Sequence, residues 1–308
     1  MNPLTRLART AYYQFFSTIS KIILPDTDRL SALGSLLGNI RYHVGYVGKM
    51  RSRRSYLQYL REALPHLSEI ERRRILRQFW INHEHSFLEL FLLPTLTKEN
   101  IDDFVQFDGL EVLDECLALG KGVVLAVPHF GSPRFLHVAL AIKGYPMNVI
   151  SSRYEEASET VRRILLEPSL KWHNVGHPDM SPRWMFTALK QNEILQISPT
   201  AFGASKGCWI TFLGGRAMVS SSPVRLALST GAALVPAFIS RLQGYRHRIE
   251  IRAPLELKHD TNRQRLIQST TEELMKIVEQ YAAAYPEQFS WMWFVIRRQQ
   301  AEGLAEGE

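Results

Sequence analysis

In the stretch VPHFGSPRFL, residues 127–136, an apolar run ends abruptly in a histidine. An imidazole titrates near pH 6.5, so His129 is a residue type suited to general base work at neutral pH. Gly131 lets the backbone turn sharply, and a helix beginning there can offer its first N–H groups to an anion. The other reading of a single histidine here is a half-buried ring bonded to a loop carbonyl. Five places on stands Arg134, a permanent cation with five donors and no acceptor. It cannot accept an N–H from an imidazole, and its charge disfavours an imidazolium beside it. Ser132 is not read as a nucleophile, because GSP lacks the glycine on both sides that a nucleophile elbow uses.

The remaining candidate clusters carry less chemistry. His83 and His85 in NHEHSFLEL are two apart, which points them to different sides of a helix and argues against a metal site. His173 and His177 in WHNVGHPD have helical spacing, but Gly176 and Pro178 favour a loop. Trp291 and Trp293 in FSWMWF read as core or interface. No phosphate-binding loop and no dinucleotide fingerprint occurs, so no metal and no cofactor is expected. Cys116 and Cys208 lie far apart without a CxxC partner, which fits a reducing compartment rather than a disulfide framework.

His129 needs a scaffold, and the surrounding pattern supplies one. GVVLAVP is a β-branched run typical of a buried strand, so His129 falls at a strand's carboxyl end, where open α/β sheets build their sites. MNVISSR, EILQISP and ALVPAFISR are further strands, and HRIEIRAP reads as an edge strand. Helical patterns lie between them: FVQFDGLEVLDECLALGKG reads as a short extended piece and then a helix closed by Gly120, HFGSPRFLHVALAIKG is a helix closed by Gly144, SSPVRLALSTG follows, and TNRQRLIQSTTEELMKIVEQYAAAYP is a long amphipathic helix. Before about residue 105 the pattern is helical. Ser68 and Glu71 form a capping box opening one helix, and Pro94 stops it. Strands alternating with helices predict an α/β fold, a mixed sheet flanked by helices with a helical amino-terminal section.

The chain of 308 residues is 45% hydrophobic and 22% charged, the balance of a globular protein. Its net charge of +7 points to an anionic partner. The positive charge lies on amphipathic helices without a nucleic-acid motif, so no nucleic acid is expected and a membrane surface is. No stretch reaches the ~20 apolar residues of a spanning helix. Residues 1–30 instead carry a helical apolar stripe, Tyr12, Phe15, Phe16, Ile19, Ile22 and Ile23, with Arg6, Arg9 and Lys21 around it. Such a segment packs on the body of the protein or lies in the bilayer interface, with transmembrane anchoring a third reading that the short stripe disfavours. The expected organisation is this segment, one domain over 31–298 and a flexible tail at 299–308.

Four blocks in order, LREALPHLSEIERRRILRQFW, FDGLEVLDECLALGKGVVLAVPHFG, FLGGRAMVSSSPVRLALSTGAALVPAFISR and YPEQFSWMWFVIRR, give the chain a family resemblance. Together they resemble the bacterial lipid A biosynthesis (lauroyl/myristoyl) acyltransferases, a branch of the lysophospholipid acyltransferase superfamily, and the likeness runs from about residue 30 to 298. It implies a glycerolipid acyltransferase-like fold and a peripheral or monotopic place on the cytoplasmic face of the inner membrane. It also implies transfer of a fatty acyl chain from an acyl carrier protein or coenzyme A thioester to a hydroxyl of an anionic lipid or glycolipid. His129 matches the family's base. Phe212, Gly214 and Gly215 match a glycine-bearing block that binds the acceptor or stabilises charge. Pro236 and Arg241 match the block behind the acyl pocket. Two positions depart. The family places an acid five residues after its histidine, where this chain has Arg134, a candidate phosphate contact. Relatives often carry an Asp-Gln pair where Pro199 and Thr200 stand, a change expected to remove a polar side chain from the site. A backbone carbonyl, Glu155 or Glu156 are candidate replacements for the acid. The competing reading is a non-catalytic or chemically diverged homologue that binds lipid or an acyl carrier partner.

Overall fold

The computed structural model describes residues 26–44, 53–151, 170–174, 182–200, 207–257 and 262–290. The amino-terminal stripe from Tyr12 to Ile23, Glu155, Glu156, His177, Trp291, Trp293 and the tail at 299–308 lie outside the described residues.

Among the described residues three helices come first: α1 (Thr27–Val44), α2 (Arg53–Ala63) and α3 (Glu69–Leu92). The capping box is present at the start of α3. The Ser68 backbone N–H donates to the Glu71 carboxylate at 2.7 Å, and the Glu71 N–H donates to Ser68 Oγ at 3.3 Å. Helix α3 ends at Leu92, ahead of a 3-10 turn holding Pro94. Helix α1 lies close along α3 because Gly34 and Gly38 face His85 and Ile81, where a Cβ would collide.

The chain then alternates between strand and helix: α4 (Ile101–Phe104), β1 (Val105–Asp108), α5 (Leu110–Ala118), β2 (Val123–Ala126), α6 (Pro133–Ile142), β3 (Met147–Ser151), β4 (Leu170–Asn174), α7 (Arg183–Lys190) and β5 (Ile194–Ile197). A hairpin of β6 (Gly207–Phe212) and β7 (Gly215–Ser220) follows, then α8 (Ser222–Thr230), β8 (Ala233–Gln243), β9 (Arg246–Ile251) and α9 (Arg263–Ala284). Among the described residues seven strands form one mixed sheet in the order β1-β9-β8-β2-β5-β3-β4. Strands β8, β2, β5, β3 and β4 run parallel, and β9 is antiparallel to β8.

The fold class expected from the pattern is the one observed, with two corrections. HRIEIRAP is not an edge strand, because β1 pairs in parallel along its outer side, Val105 with His247 through Asp108 with Glu250. His173 lies in β4 and not in a loop. The hairpin Gly207–Ser220 was not among the expected strands.

Strand β2 is buried along its whole length, and its two faces feed separate cores. Val124 and Ala126 pack with Leu195, Phe238, Ile267 and Met275 under α8 and α9. Val123, Leu125 and Val127 pack with Phe135, Leu140 and Ile249 under α5 and α6. A strand with apolar residues on both faces can only be central in a covered sheet.

Candidate active site

Strands β2 and β5 are parallel neighbours, Val123 opposite Ile194 and Ala126 opposite Ile197. Parallel pairing brings their carboxyl ends to the same edge, and the Val127 N–H still donates to the Ile197 carbonyl at 3.1 Å. His129 follows one strand and Ser198 and Thr200 follow the other. The result is a hydroxyl–imidazole cluster. Thr200 Oγ1 lies 2.7 Å from His129 Nδ1 and accepts the His129 backbone N–H at 3.0 Å. Ser198 Oγ lies 3.2 Å from the same Nδ1 and 2.9 Å from Thr200 Oγ1. It also accepts the Thr200 N–H at 3.2 Å. A neutral imidazole has one donor and one acceptor nitrogen. The Thr200 hydroxyl can meet either: in the tautomer whose Nδ1–H donates to Thr200, Nε2 is the basic nitrogen. The expected loss of a polar side chain at 199–200 is therefore corrected: Thr200 keeps an oxygen on the histidine.

The loop after His129 is fixed on its other side. Phe130 bridges Phe289, the Ser290 N–H donates to the His129 carbonyl at 3.0 Å, and the Gly131 N–H donates to the Gln288 carbonyl at 2.9 Å. Gly131 has φ +58°, and a Cβ there would meet the Ile239 carbonyl oxygen at 1.8 Å. Only glycine fits that approach.

Arg134 stands exposed in the first turn of α6, after Pro133. Its charge reaches two histidines. Burial first and Arg134 second hold His137 down to about 3. His83 is lowered by burial, then by Arg41 and Arg134, although a third of its side-chain surface stays open. Position 134 thus puts a cation beside the loop.

Phe212, Gly214 and Gly215 lie at the end of the β6–β7 hairpin. Leu213 and Gly214, at φ +47° and +71°, make its two-residue turn. The Leu213 N–H donates to the Glu279 carboxylate of α9. Phe212 is buried against Phe289, ring centroids 5.9 Å apart, so the hairpin end and the His129 loop share one aromatic neighbour. Arg241 is turned inward. Its guanidinium pairs with Glu89 at 2.5 Å and donates to the Gly244 carbonyl at 2.7 Å and Ser86 Oγ at 3.2 Å. The side chain is 6% exposed, so its charge is engaged within the protein.

Sequence reasoning did not single out Ser198, Gln288 or Glu89 for the site. Glu89 left a signal. It is a lone acid in FLELFLL, and a carboxylate inside an apolar run must find a partner. Serine and glutamine left none, because such residues are ordinary in loops.

The fold and cluster together define an α/β protein with an imidazole–hydroxyl site at the carboxyl edge of its sheet. The sequence matches the family described as Bacterial lipid A biosynthesis acyltransferase over residues 30–298, and the chain belongs to that family. Among curated relatives, it is similar to a phosphatidylinositol mannoside acyltransferase of Mycobacterium tuberculosis, with 27% identity over 153 residues, 48% of each chain. That alignment spans about half the length of the mycobacterial protein. A Lipid A biosynthesis acyltransferase of Haemophilus influenzae is 20% identical over 278 residues, 87% of this chain and 83% of the relative. Among solved structures, the 1-acyl-sn-glycerophosphate acyltransferase PlsC of Thermotoga maritima is a distant match. It is 12% identical with a TM-score of 0.38, covering 82% of this chain and 96% of the other.

Proposed function

We propose that the protein transfers a fatty acyl chain from the thioester of an acyl carrier protein or coenzyme A to a hydroxyl of a lipid or glycolipid, with His129 as general base. The observation that carries this is the 2.7 Å contact between His129 Nδ1 and Thr200 Oγ1. It gives the imidazole an orienting partner although position 134 is arginine. Family membership and the relatives' names support a lipid or glycolipid acceptor.

In this reading His129 Nε2 takes the proton of the acceptor hydroxyl as its oxygen attacks the thioester carbonyl. The tetrahedral intermediate collapses, the C–S bond breaks, and the imidazolium returns the proton to the thiolate. A neutral hydroxyl at Nδ1 orients the ring, but because it can accept or donate it constrains the tautomer less, and stabilises the imidazolium less, than a carboxylate would. Arg134 binds a phosphate of donor or acceptor, as a guanidinium does well. Phe212, Gly214 and Gly215 border the acceptor site. The protein works peripherally on the cytoplasmic face of the inner membrane. Its net charge of +7 supports a place on an anionic surface.

Arg134 also favours a second reading, a homologue that keeps the fold to bind lipid or an acyl carrier partner without chemistry. Mass spectrometry of lipid extract incubated with purified protein and either donor separates the two. A lipid mass gain that disappears in His129→Ala supports catalysis. No gain from wild type with either donor, together with gain from Arg134→Glu, identifies a disabled site.

A further inference from the structure

The Glu89 carboxylate is wholly buried, at the end of α3. Burying a carboxylate is costly unless it is both paired and hydrogen-bonded. Glu89 divides those tasks between its oxygens. Oε1 meets Arg241 of β8 at 2.5 Å and Nε2 of His247 on β9 at 2.9 Å. Oε2 accepts the hydroxyl of Ser132. The charge is thus balanced on one oxygen, and the other reaches the residue that opens α6, three places after His129.

Arg241 anchors a second grip on the same loop. Its backbone N–H donates to Gln288 Oε1 at 2.7 Å, and its carbonyl accepts from Gln288 Nε2 at 3.0 Å. Gln288 in turn accepts the Gly131 N–H through its own carbonyl. Two adjacent residues of the turn therefore trace back to one residue of the sheet, Ser132 through Glu89 to the Arg241 guanidinium and Gly131 through Gln288 to the Arg241 backbone.

We propose that Glu89 is a positioning residue, holding Ser132 and through it the His129 loop in register with Thr200, with Gln288 as the opposing clasp. This rests on His129 being the base. The contrary view is that Glu89 only neutralises Arg241 in the core.

Glu89→Gln removes the partner of two buried groups together, so loss of folding there would not discriminate. Ser132→Ala does, because it leaves the contacts to Arg241 and His247 and deletes only the link to the loop. The expected result is a kcat lower by roughly tenfold, the size of one hydrogen bond to a charged group, with KM within about twofold. The amides of His129 and Gly131 should exchange with solvent about tenfold faster relative to those of Val124 and Leu125. Ser132→Thr, which keeps the hydroxyl, should restore both. Unchanged exchange in Ser132→Ala overturns the proposal. So does faster exchange with kcat unmoved. If wild-type protein transfers no acyl group with either donor, the base reading fails by itself. The exchange ratio and the ring nitrogen shifts of His129 then still report whether Glu89 governs the loop.

Discussion

Thr200→Val is the sharpest perturbation of the proposed site. Valine keeps the shape of threonine in a position that is 8% exposed, so the packing around it is retained. What goes is one oxygen with three contacts: the His129 N–H at 3.0 Å, His129 Nδ1 at 2.7 Å and Ser198 Oγ at 2.9 Å. A backbone donor left without a partner costs about 1–3 kcal/mol, so stability should fall by that much in a denaturant titration. For turnover, the upper bound is the roughly 10⁴-fold loss seen when a triad's orienting carboxylate is removed. Thr200 is a neutral partner and Ser198 remains 3.2 Å from Nδ1, so the expected loss is smaller, about 10- to 100-fold in kcat. The assay is acyl transfer read by lipid mass, with ring nitrogen shifts of His129 recorded on the same sample. Adding Ser198→Ala should deepen the loss by more than its effect alone, because the two hydroxyls share one nitrogen. If Thr200→Val keeps kcat within twofold and the His129 tautomer does not move, Thr200 does not orient the base.

Three further outcomes follow from the same geometry. Arg134→Glu replaces a cation by an acid in the first turn of α6, where the helix dipole favours negative charge; thermal denaturation should show about 0.3–1 kcal/mol of added stability. KM for the phosphate-bearing substrate should rise about tenfold, and an unchanged KM would count against a phosphate at Arg134. Gly131→Ala places a Cβ against the Ile239 carbonyl oxygen at a positive φ, so it should cost more than ~2 kcal/mol and abolish transfer; a variant as stable as wild type would show that the loop has another resting place. Acidification should destabilise the fold in two overlapping stages. Burial lowers His247 against the opposing pull of Glu89, so stability begins to fall below pH about 6.5 as the unfolded imidazole takes up its proton. Burial would raise Glu89, but Arg241 and His247 outweigh it and hold the carboxyl near about 2, so its contribution is present above about pH 4.5 and lost towards 2. Unfolding midpoints measured across this range that stay flat would refute the network.

Much of the architecture was legible in the order of residues because local rules dictate it. The Ser68–Glu71 box, the stop at Pro94, the glycines closing α5 and α6 and the apolar run of β2 each act over a few neighbours. Periodicity and capping are sequence-local physics. HRIEIRAP was misplaced because a strand's alternation says which face is buried and nothing about whether a neighbour occupies its outer edge. The hairpin Gly207–Ser220 was missed because FLGG reads equally as a loop until its two arms pair.

The sequence by itself determined that His129 follows a buried strand, that Arg134 and not an acid stands five places on, and that Gly131 between them allows a sharp turn. Only the tertiary structure decided what the imidazole touches. Thr200 is 71 positions away along the chain, and it arrives because β5 pairs in parallel with β2. Arg241 carried the same ambiguity, since an arginine at a strand's end faces either substrate or the core. Glu89, 152 residues before it, turned it inward, because a carboxylate buried in an apolar helix face must be neutralised by whatever cation the fold brings within reach.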